Sequence, residues 1–217
     1  MYIIDSTYFQ EDRLIPNVGV GAGKINIDRL IESEVHSLLE SVLGYVAYKN
    51  VVENLDENGN IKTDTLQKWK DLINGKEYEK NDKLYYFKGL KYTLGTSKNS
   101  LLAYYVFYKW IKQNISQNSG VGGEVVLTTK NAVNVGLTAK LVDTWNKFWT
   151  MLGEGYFHKG IHYTHKGVPI HDYYGSRRDS NVSLFQYLRD NHEEYGELPL
   201  QLPINEDYHG YKNQLGL

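Results

Sequence analysis

Three short stretches bring phosphate- or metal-binding residue types close together. Gly19-Val20-Gly21-Ala22-Gly23-Lys24 has the glycines and the lysine of a phosphate loop, in which backbone N–H groups wrap the anion and a hydroxyl completes the site. Val18 stands where the first glycine belongs, Ile25 replaces the serine or threonine, and no apolar strand precedes the run. Nucleotide binding is not expected. Asp56, Asn58 and Asn60 reproduce the alternating oxygens that open a calcium loop, but Ile61 takes the place of the turn glycine and Gln67 that of the bidentate glutamate. A plain turn is predicted there. His158, His162, His165 and His171 lie within one short stretch, as metal ligands do. Gly155, Gly160, Gly167 and Pro169 break any helix that would align the first three, and only Asp172 supplies a nearby carboxylate. The expectation is surface or interface histidines, with no metal and no cofactor. No Gly-x-Ser-x-Gly and no His-Glu-x-x-His occurs, so no catalytic residue is assigned and the chain is read as not an enzyme. Arg177-Arg178 beside tyrosines has the ingredients for stacking single-stranded bases, yet its acidic neighbours make a weak patch.

Composition narrows the classes further. The 217 residues suffice for one core with an appendage, and 41% hydrophobic with 23% charged residues describe a chain that folds. A formal charge of −2 provides no global field for holding nucleic acid, so any DNA contact is expected to be transient and independent of sequence. There are no cysteines, which excludes disulfides and thiolate chemistry and suits a reducing compartment. The longest apolar run, 101–111, is interrupted by Lys109 and is far shorter than the roughly 20 residues of a membrane span. Met1-Tyr2-Ile3-Ile4-Asp5 does not open a secretory signal, and no membrane association is expected. Nineteen tyrosines against six phenylalanines are unusual. An apolar ring with a polar tip suits surfaces that are wet at one time and buried at another, and it also serves an ordinary core.

The elements that would position these residues follow from periodicity. Residues 1–26 show no period and end in glycines, which predicts an extended N-terminal segment and a turn. From Ile27, the positions Leu30, Ile31, Val35, Leu38, Leu39, Val42 and Val46 follow the 3,4 spacing of an amphipathic helix, with Asn26 or Asp28 available as N-cap. Asp64 and Gln67 have capping-box spacing before Leu66, Trp69, Leu72 and Ile73, predicting a second helix that ends at Asn74-Gly75. Residues 76–95 read as a loop with a short extended piece. A third helix, from Thr96 or Ser97 to about Asn114, is apolar on nearly every face and so belongs at the centre of a domain or between subunits. Gly120 to Leu127 reads as a glycine hinge into a short strand or loop. A fourth helix, from near Thr138 to Gly153, presents Leu141, Val142, Trp145, Phe148, Trp149 and Leu152. Beyond it the texture is extended or hairpin-like, with one short helix around Ser183 to Asn191. Leu198-Pro199-Leu200-Gln201-Leu202-Pro203-Ile204, interrupted by proline, reads as an arm laid on a surface.

The fold class expected is therefore mainly α: an antiparallel bundle of about four helices, an extended N-terminal segment, and a C-terminal arm of short strands, loops and one short helix. Its divisions are 1–26 for the segment, 27–153 for the helical core and 154–217 for an arm acting in assembly. Charge is segregated, with 4 basic and 10 acidic residues in 1–60, 14 and 7 in 61–150, and 6 and 9 in 151–217. Opposite-sign faces of this kind can meet head to tail in a ring. The candidate assembly interface comprises Tyr85, Tyr86, Phe87, Tyr104, Tyr105, Tyr108, Gly122, Gly123, Tyr163, Tyr173, Tyr174, Phe185 and Tyr187.

Four pieces of sequence resemble the head-to-tail connector proteins of tailed phages, most closely the adaptor-like ring proteins of crAss-like phages. They are Tyr8-Phe9 to Pro16-Asn17 before a long helix, Tyr85-Tyr86-Phe87-Lys88-Gly89-Leu90, the apolar stretch Leu101 to Gln113, and the glycine-rich run continuing to Asn131-Ala132-Val133. They span roughly 1–153; residues 154–217 carry no part of the likeness. The resemblance implies a ring of about twelve copies, docked between the portal protein and a tail-side ring or tail proteins. It also implies a central DNA conduit, a place in the neck of the virion after assembly in the host cytoplasm, and no enzymatic activity. Two other readings share the composition: a helical adaptor module that binds one partner protein through its aromatic tail, and an unrecognised enzyme.

Overall fold

The computed structural model describes residues 3–16, 18, 21–94, 97–119, 122–125, 137–153, 164–165, 168–169 and 181–200. The protein is mostly helical with a small three-stranded sheet. After 3-10 turns at Ser6–Tyr8 and Glu11–Arg13 comes α1 (Gly21–Glu53), then α2 (Gln67–Asn74) and the hairpin β1 (Lys76–Lys80) and β2 (Lys83–Phe87). The short pair β3 (Thr93–Leu94) and β4 (Ser97–Lys98) leads into α3 (Leu101–Ile115). A second hairpin, β5 (Ser116–Ser119) and β6 (Gly122–Val125), precedes α4 (Leu137–Leu152). The two-residue strands β7 (Thr164–His165) and β8 (Val168–Pro169) pair with each other. The order closes with β9 (Asn181–Val182), α5 (Leu184–Asp190) and α6 (His192–Tyr195).

Helix α3 is the centre. Leu101 to Tyr108 are all buried, which is why the sequence is apolar around the whole circumference, and α3 packs on α4 and on α1. From α1 it meets Ile27, Ile31, Val35, Leu38, Leu39 and Val42, all buried at 3,4 spacing. From α4 come Leu141, Phe148, Met151 and Leu152, with Phe148 and Trp145 tilted against Tyr105 and Tyr108 at ring separations of 5.1 and 5.0 Å.

α1 is not straight. Gly44 has φ 76° and ψ 160°, outside the helical region and accessible chiefly to glycine, so the helix bends there into arms 21–43 and 45–53. The bend brings His36 Nδ1 within 2.7 Å of the Tyr48 hydroxyl, their rings edge to face. Twelve residues along a straight helix would separate them by about 18 Å.

The expected boundaries are corrected in several places. The N-terminal segment is not merely extended: it forms the two 3-10 turns and buries Ile3, Ile4, Tyr8, Phe9 and Ile15 in the core, and α1 begins at Gly21. The capping box at Asp64 and Gln67 does not form. Leu66 is the N-cap of α2 without a side-chain bond, while Gln67 Nε2 donates to Asp71 at 2.6 Å. Residues 76–95 are largely strand. α3 starts at Leu101, where Ser100 Oγ accepts from the Leu102 N–H at 3.1 Å and donates to the Leu90 carbonyl at 2.6 Å.

The largest correction concerns the C-terminal arm, whose residues 181–200 belong to the core. β9 runs parallel to β2, with Tyr86 opposite Asn181 and Phe87 opposite Val182. Ser183 then caps α5, its Oγ accepting from Gln186 N, and Leu184, Phe185, Tyr187 and Leu188 are buried. Phe87 stacks on Tyr187 at 4.3 Å, and a Cβ placed on Gly153 at the end of α4 would lie 2.8 Å from that of Phe185. The core therefore does not end at Gly153.

Candidate interaction surface

The chemistry-bearing stretches resolve into ordinary local structure where they are described. Gly21 to Lys24 lie in the first turn of α1, and Lys24 Nζ pairs with Asp28 at 2.8 Å. Asp56 Oδ1 accepts from the N–H groups of Asn58 and Asn60 at 2.9 and 2.8 Å, closing a turn bracketed by the Leu55–Ile61 bridge. The Asn60 N–H leads the contacts that hold the Asp56 carboxyl below its ordinary value. His165 sits in β7, whereas His158, His162, His171, Arg177 and Arg178 lie outside the described residues. Among the described residues no group of three or more His, Asp or Glu is arranged to hold a metal ion, and no helix is long and apolar enough to cross a membrane.

Most of the aromatic residues expected at an interface are buried within the chain. Phe87, Tyr104, Tyr105, Tyr108, Phe185 and Tyr187 are in the core, and Tyr85 and Tyr86 are half-buried. Gly122 and Gly123 form part of the β5–β6 hairpin, opposite Ser119 and Asn118. Tyr163, Tyr173 and Tyr174 lie outside the described residues.

The buried tyrosines join distant elements through their hydroxyls. Tyr104 donates to Asp12 at 3.0 Å, Tyr78 to Asp190 at 2.8 Å and Tyr195 to the Lys68 carbonyl at 2.6 Å, and the Tyr187 and Tyr195 hydroxyls lie 3.0 Å apart. Burial, helped by the Asp12 carboxylate and opposed by Arg13 and Lys147, pushes the Tyr104 hydroxyl up to about 12, so it remains a donor. Asp12 also accepts from Lys147 at 2.9 Å and pairs with Arg13, which is buried and donates to the Lys98 carbonyl at 2.9 Å. Burial raises the Asp12 carboxyl's affinity for a proton, but Lys147, Arg13 and Tyr104 together bring it below its usual value. These groups fasten the N-terminal turns to α3 and α4.

An enclosed cavity of about 10 Å³ beside Phe87, Asn99 and Met151 has room for a water molecule and nothing larger. A surface feature of ligand size among the described residues is the groove at the α1 bend, about 450 Å³. Its walls are Leu43 to Ala47 and Asn50 of α1, Lys68 and Trp69 of α2, and Tyr195 to Pro199. Tyr45 and Val46 stand at its rim, 62% and 72% exposed. On its polar rim, which also carries Glu197, Asn50 Nδ2 donates to the Val46 carbonyl at 2.9 Å and Lys68 Nζ to the Glu194 carbonyl at 2.8 Å. At one end the Leu200 N–H donates to the Val42 carbonyl at 3.0 Å, a bond that in a continuous helix would come from Val46, and the Pro199 ring sits so that a Cβ placed on Gly44 would lie 3.3 Å from its Cδ. Such a surface suits an apolar polypeptide better than a polar metabolite.

Val46, expected on the buried stripe, is thus a correction, because the bend rotates it outward. The available signal was Gly44 inside a helical pattern. No protein-family model, curated protein or solved structure matches the chain.

Proposed function

We propose that the protein is a structural, non-enzymatic subunit of a homo-oligomeric ring, of the head-to-tail connector kind found in the necks of tailed phages. The observation that carries the assembly part of this reading is the open groove at Gly44, where two large apolar side chains stand in solvent above an apolar floor. Apolar surface of that kind is costly on a free monomer and is covered when a polypeptide docks. The connector part rests on the sequence resemblance carried by 1–153 and on the opposite charge of the first 60 residues and the next 90. In this reading α1 to α4 serve as the subunit's antiparallel bundle and the ring contacts a portal above and tail proteins below. DNA passes through without being gripped, as a net charge of −2 favours. Electron microscopy of the purified full-length protein tests it. Closed rings of uniform copy number are expected, and a protein that stays monomeric at every concentration, alone or with a portal, would overturn the reading.

A further inference from the structure

The C-terminal sequence contains a tandem motif, Leu198-Pro199-Leu200-Gln201 followed by Leu202-Pro203-Ile204-Asn205. The first copy shows how such a motif is received. Its proline ring lies on Gly44, and the following N–H takes the Val42 carbonyl left available by the helix bend. Leu198 and Pro199 then form one wall of the groove whose other walls carry Tyr45, Val46 and Trp69. The second motif has the same chemistry, and 17 residues follow Leu200.

We propose that the groove receives the Leu202-Pro203-Ile204 segment of a second copy of this chain, so that each subunit offers a groove and inserts an arm. The proposal rests on the reading of the protein as a ring subunit. Leu200, bonded to the Val42 carbonyl, follows Pro199, the last residue of this segment to line the groove. A single residue, Gln201, separates anchored Leu200 from Leu202, a reach of about 7 Å. Return into the same groove would have to cross the Pro199 ring seated on Gly44. A neighbour's arm meets no such obstacle. Groove and arm are different surfaces, so the contact is heterologous and closes into a ring where the rotation between subunits divides a full turn. A proline fixes its own φ, which lowers the entropy such a segment loses on binding.

The absence of native cysteine makes the test clean. Full-length protein carrying Val46→Cys and Ile204→Cys is oxidised mildly and run on a non-reducing gel. Each single variant can join at most two chains, whereas the double variant is expected to give a ladder of trimers and higher species that a thiol collapses. A second variant, Val46→Glu, is expected to keep the wild-type circular dichroism and melting, because Val46 is 72% exposed. It should also weaken self-association by roughly tenfold or more, because a carboxylate would be buried unpaired. Absence of cross-linking overturns the proposal, and so does a cross-link confined within one chain. Unchanged association of the Val46→Glu protein overturns it too. Wild-type rings without a ladder defeat the arm exchange and leave the ring reading standing; neither rings nor ladder defeats both.

Discussion

Replacing Phe185 by alanine asks whether the chain after Gly153 is an appendage or part of one cooperative unit. Phe185 is 1% exposed and sits in van der Waals contact with the end of α4, so close to Gly153 that no side chain fits between them. Truncating a buried phenylalanine removes its transfer free energy and leaves a cavity, together costing about 3–5 kcal/mol. The melting temperature of a domain this size falls by roughly 2–4 °C per kcal/mol, so a drop of about 6–20 °C is expected. The assay is thermal unfolding followed in the far ultraviolet, which reports helix, and in the near ultraviolet, which reports the packing of the tyrosines and tryptophans of the core. Both signals should fall together. If the melting temperature stays within about 2 °C of wild type, or if the helical signal melts unchanged while the aromatic signal melts early, then 181–200 is not part of the core and the packing argument fails.

Two further outcomes follow from single contacts. Gly89→Ala should destabilise by more than about 2 kcal/mol in denaturant titration, because its φ of 81° disfavours a side chain and the new Cβ would lie 2.4 Å from the Gly75 nitrogen; a neutral effect would mean that the two segments do not approach as closely as described. Asp12→Asn should cost about 1 kcal/mol at neutral pH, a modest figure because Asp12 is 39% exposed. A carboxyl whose folded value is depressed adds stability above its unfolded value and loses it as pH falls through the folded one. The difference from wild type should therefore narrow below about pH 4, and a difference independent of pH would refute the ion-pair account.

The long helices are legible in the sequence because burial repeats at 3,4 spacing, as in Ile27, Ile31, Val35 and Leu38 of α1 or Leu141, Phe148 and Leu152 of α4. The helix starts are less so. Asp64 and Gln67 have the right spacing for a cap, but residues 61–65 are tied instead to the end of α1, with the Lys62 N–H and the Thr65 hydroxyl both donating to the Asn54 carbonyl. Tyrosine is the residue that misleads most. Its amphipathic ring serves interfaces and cores alike, and at Tyr78, Tyr104 and Tyr195 the hydroxyl finds a partner on folding. Those partners are far along the chain: Asp12 is 92 residues from Tyr104, Asp190 is 112 from Tyr78, and the Lys68 carbonyl is 127 from Tyr195. Local pattern carries no trace of such pairings, so the tyrosine-rich C-terminal segment reads as a surface arm while its α5 and α6 portion closes the core.

The groove was not legible in the periodicity of α1. The buried row Leu39, Leu43, Ala47 and Val51 continues at 3,4 spacing past Gly44, whereas the neighbouring row through Leu38 and Val42 stops there and Val46 is exposed. Gly44, at φ 76°, is the residue able to bend the helix at that point. The break has two consequences that sequence periodicity does not distinguish. It turns Tyr45 and Val46 outward, and it leaves the Val42 carbonyl to be satisfied by the Leu200 N–H, which draws the segment 196–200 across the bend to form the groove's third wall. A glycine that looks like a minor weakness in a long helix thus both fixes the C-terminal segment to the core and opens the apolar surface on which assembly is proposed to depend.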